Sequence, residues 1–83
     1  MARATKMLEA MRANPRDDWR ISDVQSVCAG FDVICAAPRR GSHYTVSHPG
    51  IVPILTIPAR RPIKPVYIAA LVEFIDSVLK CRP

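Results

Sequence analysis

Apolar positions recur with a helical period near both ends of the chain. Met7, Leu8 and Met11 share one face and predict a first helix over residues 3–13 that Asn14-Pro15 ends. The strongest periodic signal lies in the C-terminal third. It predicts a long helix opened by Pro65, with a buried stripe of Ile68, Leu71, Val72, Ile75, Val78 and Leu79.

A short second helix is predicted between the first helix and the middle of the chain. Its buried stripe consists of Ile21, Val24, Val27 and Cys28. The run Ser22-Asp23-Val24-Gln25 has the form of a capping box, which indicates a helix start at Ser22. Gly30 is expected to end the helix in the left-handed conformation.

The middle of the chain reads as three strands, over residues 31–37, 42–47 and 51–57. Breaker residues separate them: Arg39-Arg40-Gly41 in the first turn and His48-Pro49-Gly50 in the second. Connections this short favour an antiparallel meander. The predicted order is therefore helix, helix, three strands, helix, an α+β fold with the helices packed on one face of the sheet.

Strand alternation assigns a side to each residue of the second strand. Tyr44 and Val46 are expected to face the helices, so His43 points off the open face. On the third strand, the same alternation exposes Val52 and Ile54 near His43. An exposed apolar patch beside a basic rim is typical of a protein interface.

Composition and charge favour an acidic partner. Residues 1–83 are long enough for one small globular domain, with 49% hydrophobic and 23% charged residues. The net charge is +5, which favours nucleic acid, an anionic membrane surface or an acidic protein, although a solvated basic surface explains it equally well. Positions 33–72 contain no Asp or Glu but do contain Arg39, Arg40, Arg60, Arg61 and Lys64.

The cysteines indicate a reducing compartment. Cys28, Cys35 and Cys81 form an odd, widely spaced set, which favours free thiols in the cytoplasm over a disulfide framework or a zinc site. Cys28 and Cys35 lie in apolar patterns and are expected to fill the core. No leader peptide is expected, and Glu73 and Asp76 in the last helix argue against a membrane span.

The candidate chemistry is the cleavage of RNA. RNA carries its own nucleophile, the 2′-hydroxyl, and a histidine titrates near neutrality, so His43 can act as base or acid without a metal or other cofactor. His48 lies in a turn about a strand length away and is an unsuitable second imidazole. The residues expected to bind the phosphates are Arg39, Arg40, Gly41, Ser42, Arg60, Arg61 and Lys64.

Two other functions remain open from the residues alone. The same charge suits a non-catalytic module that binds double-stranded RNA through its shape and phosphates. It also suits an adaptor whose primary site is the apolar pair Val52 and Ile54. An exposed histidine on a strand is more often a plain surface residue than a catalyst.

Over roughly Trp19 to Ile75 the sequence resembles the HicA toxins of bacterial toxin–antitoxin modules. The order and spacing of several short motifs produce this resemblance. They are Gly30-Phe31, Gly41-Ser42-His43, His48-Pro49, Leu55-Thr56-Ile57-Pro58 and Ile63-Lys64-Pro65.

The resemblance implies a fold similar to double-stranded-RNA-binding domains and the activity of an mRNA interferase, an endoribonuclease that causes growth arrest. It implies that His43 is the catalytic histidine, that no metal is used, and that a HicB-like antitoxin covers the site in a toxin–antitoxin hetero-oligomer. Two features depart from the family pattern. Tyr44 replaces a polar residue, and residues 1–16 extend the N-terminus beyond the family pattern and would add a helix to it.

Overall fold

The computed structural model describes residues 3–81, except for the side chains of Pro53 and Cys81. Three helices and a small antiparallel sheet form an α+β structure in the predicted order. The elements are α1 (Arg3–Ala13), α2 (Ile21–Gly30), β1 (Ile34–Ala36), β2 (His43–His48), β3 (Ile51–Pro58) and α3 (Pro65–Cys81). The strands lie in the order β1-β2-β3, so β2 is central.

The register of the sheet separates its two faces. Val46 pairs with Cys35 on one side and Leu55 on the other, and Tyr44 pairs with Ile57. Val46 and Ile57 are fully buried, so these residues define the inner face. The opposite face carries His43, as the alternation predicted, together with Ile34, Ala36, Thr45, Thr56 and Pro58.

Helix α3 supplies the largest share of the core. Its buried side chains pack with those of α1, α2 and the inner face of the sheet, and they are Ile68, Leu71, Val72, Phe74, Ile75 and Val78. Leu79 was expected in this stripe but is 39% exposed. Leu79 lies in the last turn of α3, at the edge of the core, whereas Val78 is buried.

The predicted ends of α2 are wrong in their details. The helix begins at Ile21, and the Asp23 carboxylate accepts a hydrogen bond of 2.9 Å from the Arg20 backbone N–H, so Ser22 is not the cap. Gly30 lies inside the helix. The left-handed residue after it is Asp32, with φ 58°.

Gly30 has a packing role instead. A Cβ built on Gly30 would overlap the Cβ of Ala4, which is itself buried in the core. Helices α1 and α2 therefore cross at a point where only a hydrogen fits between their backbones. This contact joins α1 to the rest of the core.

An ion pair joins α1 to α3 on the surface. The two terminal nitrogens of Arg12 donate to the two carboxylate oxygens of Asp76 at 2.7 and 2.8 Å. This hydrogen-bonded pair lowers the pKa of Asp76 and raises that of Arg12. Within residues 3–81, no helix is both long and apolar enough to cross a membrane.

Replacing Gly30 with Ala tests the helix crossing. We expect Gly30→Ala to lower the free energy of unfolding by about 1–3 kcal/mol, because the new methyl group forces the two helices apart. Removing the opposing methyl in Gly30→Ala/Ala4→Gly should recover part of that loss. Urea unfolding checks this, and strictly additive effects of the two substitutions would contradict the crossing.

Replacing Asp76 with Asn tests the ion pair through its pH dependence. Because the folded state lowers the pKa of Asp76, the stabilisation is complete above the ordinary aspartate pKa of about 3.9 and disappears as the pH falls through the lowered value. Asp76→Asn should therefore destabilise the protein at pH 7, with a difference from wild type that shrinks in acid. Glu73→Gln, an exposed position on the same helix, is the control and should show little change in urea unfolding.

Candidate active site

A glycine turn and the sheet register place His43. Gly41 has φ +79°, a backbone conformation that residues other than glycine rarely adopt, and it turns the chain into β2. His43 then pairs with Pro58, and the Ala59 N–H donates to the Ser42 carbonyl oxygen at 2.6 Å. The start of β2 is thereby held against the end of β3. It also contacts the first residue of the segment 59–64, which we call the basic loop.

The other end of the basic loop is anchored in the core. Ile63 is buried, and its N–H donates to the Trp19 carbonyl oxygen at 2.9 Å. The Trp19 indole in turn donates to the Asn14 carbonyl oxygen at 2.8 Å. The Lys64 carbonyl oxygen accepts the N–H of Tyr67 at 2.9 Å, which fixes the first turn of α3 directly after the loop.

These segments meet around a cleft of about 330 Å³ at this end of the sheet. The residues that line it are Ser42, His43, Pro58, Arg60, Lys64 and Tyr67. The His43 side chain is exposed, and the Ser42 side chain is half-buried beside it. The volume is within the usual range for small-molecule sites, so the cleft can accept a group about the size of a nucleotide.

The cleft has positive charge without a compensating carboxylate. No Asp or Glu lines it, because positions 33–72 contain neither residue. Within residues 3–81, the structure records ion pairs for Arg12 and Arg61 but none for Arg60 or Lys64. Both cations are therefore available to bind an anionic group that contacts His43.

Arg61 is engaged elsewhere. Its Nη2 atom lies 3.0 Å from an Asp18 carboxylate oxygen, and Nε lies 3.5 Å from the other. This pairing lowers the pKa of Asp18 and raises that of Arg61. Arg61 was expected to bind phosphate, but its charge is partly neutralised in the folded protein and it does not line the cleft.

The other candidate residues fall into two groups, those that line the cleft and those in the turn before β2. Ser42, Arg60 and Lys64 line it with His43, whereas Arg39, Arg40 and Gly41 form the exposed turn that precedes β2 and are not among its lining residues. Arginines in this turn can contact a longer ligand only where it extends beyond the cleft.

The exposed apolar patch is farther from His43 than expected. Val52 and Ile54 are indeed exposed, by 90% and 61%. However, His43 pairs with Pro58 at one end of β3, and the register shifts between Val46 and His48. Val52 therefore lies near the opposite end of the strand, about 20 Å from the residue that pairs with His43, at 3.3 Å per residue.

The second histidine has a structural role. His48 ends β2, and its Nδ1 accepts the Gly50 N–H at 3.0 Å, which stabilises the turn into β3. Cys28 is also unsuited to chemistry, because burial raises the pKa of its thiol to about 12. In the part of the chain from residue 3 to residue 81, no three His, Cys, Asp or Glu side chains cluster as metal ligands.

Pro58 and Tyr67 are the two lining residues that sequence reasoning missed, and Tyr67 is the aromatic one. Its half-buried ring packs against the core on one side and lines the cleft on the other. The signal that could have indicated it is its spacing: Tyr67 follows Lys64 by three residues, so the two share one face at the start of the helix.

Comparison of the chain with protein-family models, with curated proteins and with solved structures finds no match. The functional inference therefore rests on the residues that line the cleft and not on similarity to a known protein.

Removing either cleft cation should weaken RNA binding in a salt-dependent way. We expect Arg60→Ala or Lys64→Ala to lower the affinity for a single-stranded 2′-O-methyl RNA, which resists cleavage. Each should reduce the slope of log K against log salt by about 0.7. Fluorescence anisotropy over a salt series measures both.

Lys80→Ala is the matched control, because Lys80 lies at the other end of α3, about 24 Å from Lys64 at 1.5 Å rise per residue. Equal effects of Lys80→Ala and Lys64→Ala would show diffuse attraction to the whole surface, and would contradict a localised site.

Proposed function

We propose that the protein is a metal-independent endoribonuclease in which His43 transfers the proton during cleavage of an RNA phosphodiester. The observation that carries the proposal is the position of this exposed imidazole. It lies in a nucleotide-sized cleft with Arg60 and Lys64, and no carboxylate is among the described residues that line that cleft. The cations attract the phosphate, and the imidazole is then placed at the reacting group.

The proposed reaction uses the 2′-hydroxyl of the RNA as the nucleophile. Its oxygen bonds to the adjacent phosphorus, the bond from phosphorus to the 5′-oxygen breaks, and one proton moves from the 2′-hydroxyl to the departing oxygen. His43 accepts the first proton or donates the second, a role that typically contributes about 10²- to 10⁴-fold to the rate. Arg60 and Lys64 stabilise the additional negative charge on the phosphate oxygens.

The cellular role proposed here is that of an mRNA interferase of the HicA type, acting in the cytoplasm. Helices packed on one face of a three-stranded antiparallel sheet are compatible with a fold similar to double-stranded-RNA-binding domains. The motif Gly41-Ser42-His43, whose glycine turns the chain into β2, supports the same proposal.

The proposed partner is an acidic, HicB-like antitoxin that forms a hetero-oligomer with this chain. The open face of the sheet suits such a partner, because it carries His43 at the cationic cleft and the exposed Ile34. A protein lying across this face would cover the cleft and Ile34, so charged and apolar groups would contribute to one interface.

The test of the proposed function is RNA cleavage by His43→Ala in the presence of EDTA. We expect cleavage to fall by about 10²- to 10⁴-fold, while the melting temperature and binding to 2′-O-methyl RNA stay close to wild type. His48→Asn is the control. It removes the other imidazole, keeps an acceptor for the turn, and should cleave at the wild-type rate.

Undiminished cleavage by folded His43→Ala would refute the catalytic role. If wild type binds RNA with a strong salt dependence and cuts none of it, the protein is the non-catalytic RNA-binding module instead.

A further inference from the structure

Tyr67 occupies a position in the cleft that proton transfer and phosphate binding do not explain. Arg60 and Lys64 account for the phosphate charge, and His43 accounts for the proton. The Tyr67 ring lines the same cleft but has neither charge nor a place in that reaction. It is one of the chain's two tyrosines, and the other, Tyr44, lies on the inner face of the sheet.

The ring is held in place before any ligand arrives. Tyr67 is the third residue of α3, and its N–H donates to the Lys64 carbonyl oxygen at 2.9 Å. Its half-buried side chain packs against the core cluster that includes Ile63 and Ile68. A tyrosine fixed on one side by the core loses little conformational entropy when a ligand covers its other side.

An aromatic surface next to phosphate-binding cations suits a nucleobase. A nucleotide whose phosphate contacts Arg60 or Lys64 carries its base within one nucleotide length of the cleft wall. Aromatic side chains stack on bases in single-stranded RNA, where the base is free to leave its own stack. Duplex RNA keeps its bases paired and stacked, so it cannot offer one to Tyr67.

We propose that Tyr67 stacks on a nucleobase adjacent to the phosphate held at His43, and so selects single-stranded RNA. This inference rests on the proposed ribonuclease function for its biological meaning, but its test is a binding measurement that needs no cleavage. Tyr67 is a binding residue, and its loss raises KM more than it lowers kcat.

The test compares three substitutions at Tyr67 by fluorescence anisotropy with a single-stranded 2′-O-methyl RNA. Tyr67→Phe keeps the ring and should bind within about twofold of wild type. Tyr67→Leu fills the core side but removes the aromatic surface. Tyr67→Leu and Tyr67→Ala should each bind the RNA about tenfold more weakly than wild type. A 2′-O-methyl duplex of the same sequence should bind all four proteins equally.

Val66→Ala is the matched control, because Val66 is an exposed apolar residue in the same helical turn but does not line the cleft. It should bind like wild type, and thermal melting confirms that each variant is folded.

The outcomes separate this inference from the proposed function. Equal affinity of folded Tyr67→Leu and wild type would overturn the stacking role even if the protein cleaves RNA. Weak binding by Tyr67→Leu with strong binding by Tyr67→Phe would support stacking even if no RNA is cut. Weak binding by both Leu and Phe variants would overturn stacking, because the aromatic ring would then not be the group that binds.

Discussion

The packing of α3 against β3 is the contact on which the candidate site depends. Ile57 near the end of β3 and Ile68 near the start of α3 are both fully buried in one cluster. Because the loop between β3 and α3 has only six residues, 59–64, the burial of Ile57 and Ile68 brings Arg60 and Lys64 to the end of the sheet where β2 begins. The cleft is thus positioned by apolar burial, and its polar side chains need no contacts among themselves.

This separation of roles explains how the protein keeps two cations, neither with an ion-pair partner among residues 3–81, beside an imidazole. The Arg60 and Lys64 side chains are exposed, so water screens their mutual repulsion, and they contribute little to folding stability. The same charges favour the binding of a polyanion in the cleft, because the polyanion releases its counterions when it binds. The buried core residues stabilise the fold, so the exposed cleft residues are not needed for stability.

Local patterns were sufficient for the order of the elements and for the exposure of His43, since helical period and strand alternation depend only on nearby residues. Long-range contacts were not accessible in this way. Asp18 pairs with Arg61 across 43 positions of sequence, and Ala4 meets Gly30 across a helix crossing. The register shift between Val46 and His48 pairs His43 with Pro58, farther along β3 from the apolar patch. Alternation could not predict this, because it assigns a face but not a distance. The fold similarity to double-stranded-RNA-binding domains, the antitoxin and the ribonuclease activity stay predictions.

The central claim is that the cleft around His43 directs the RNA's own 2′-hydroxyl at the neighbouring phosphate. The most direct measurement compares wild-type protein acting on one RNA sequence, without metal, as normal RNA and as the fully 2′-O-methylated strand, with mass spectrometry of the products. The account predicts that both strands bind with similar affinity, and that only the normal RNA is cut, leaving 5′-hydroxyl ends. Cleavage of the methylated strand, or binding of normal RNA with no cleavage, would contradict it.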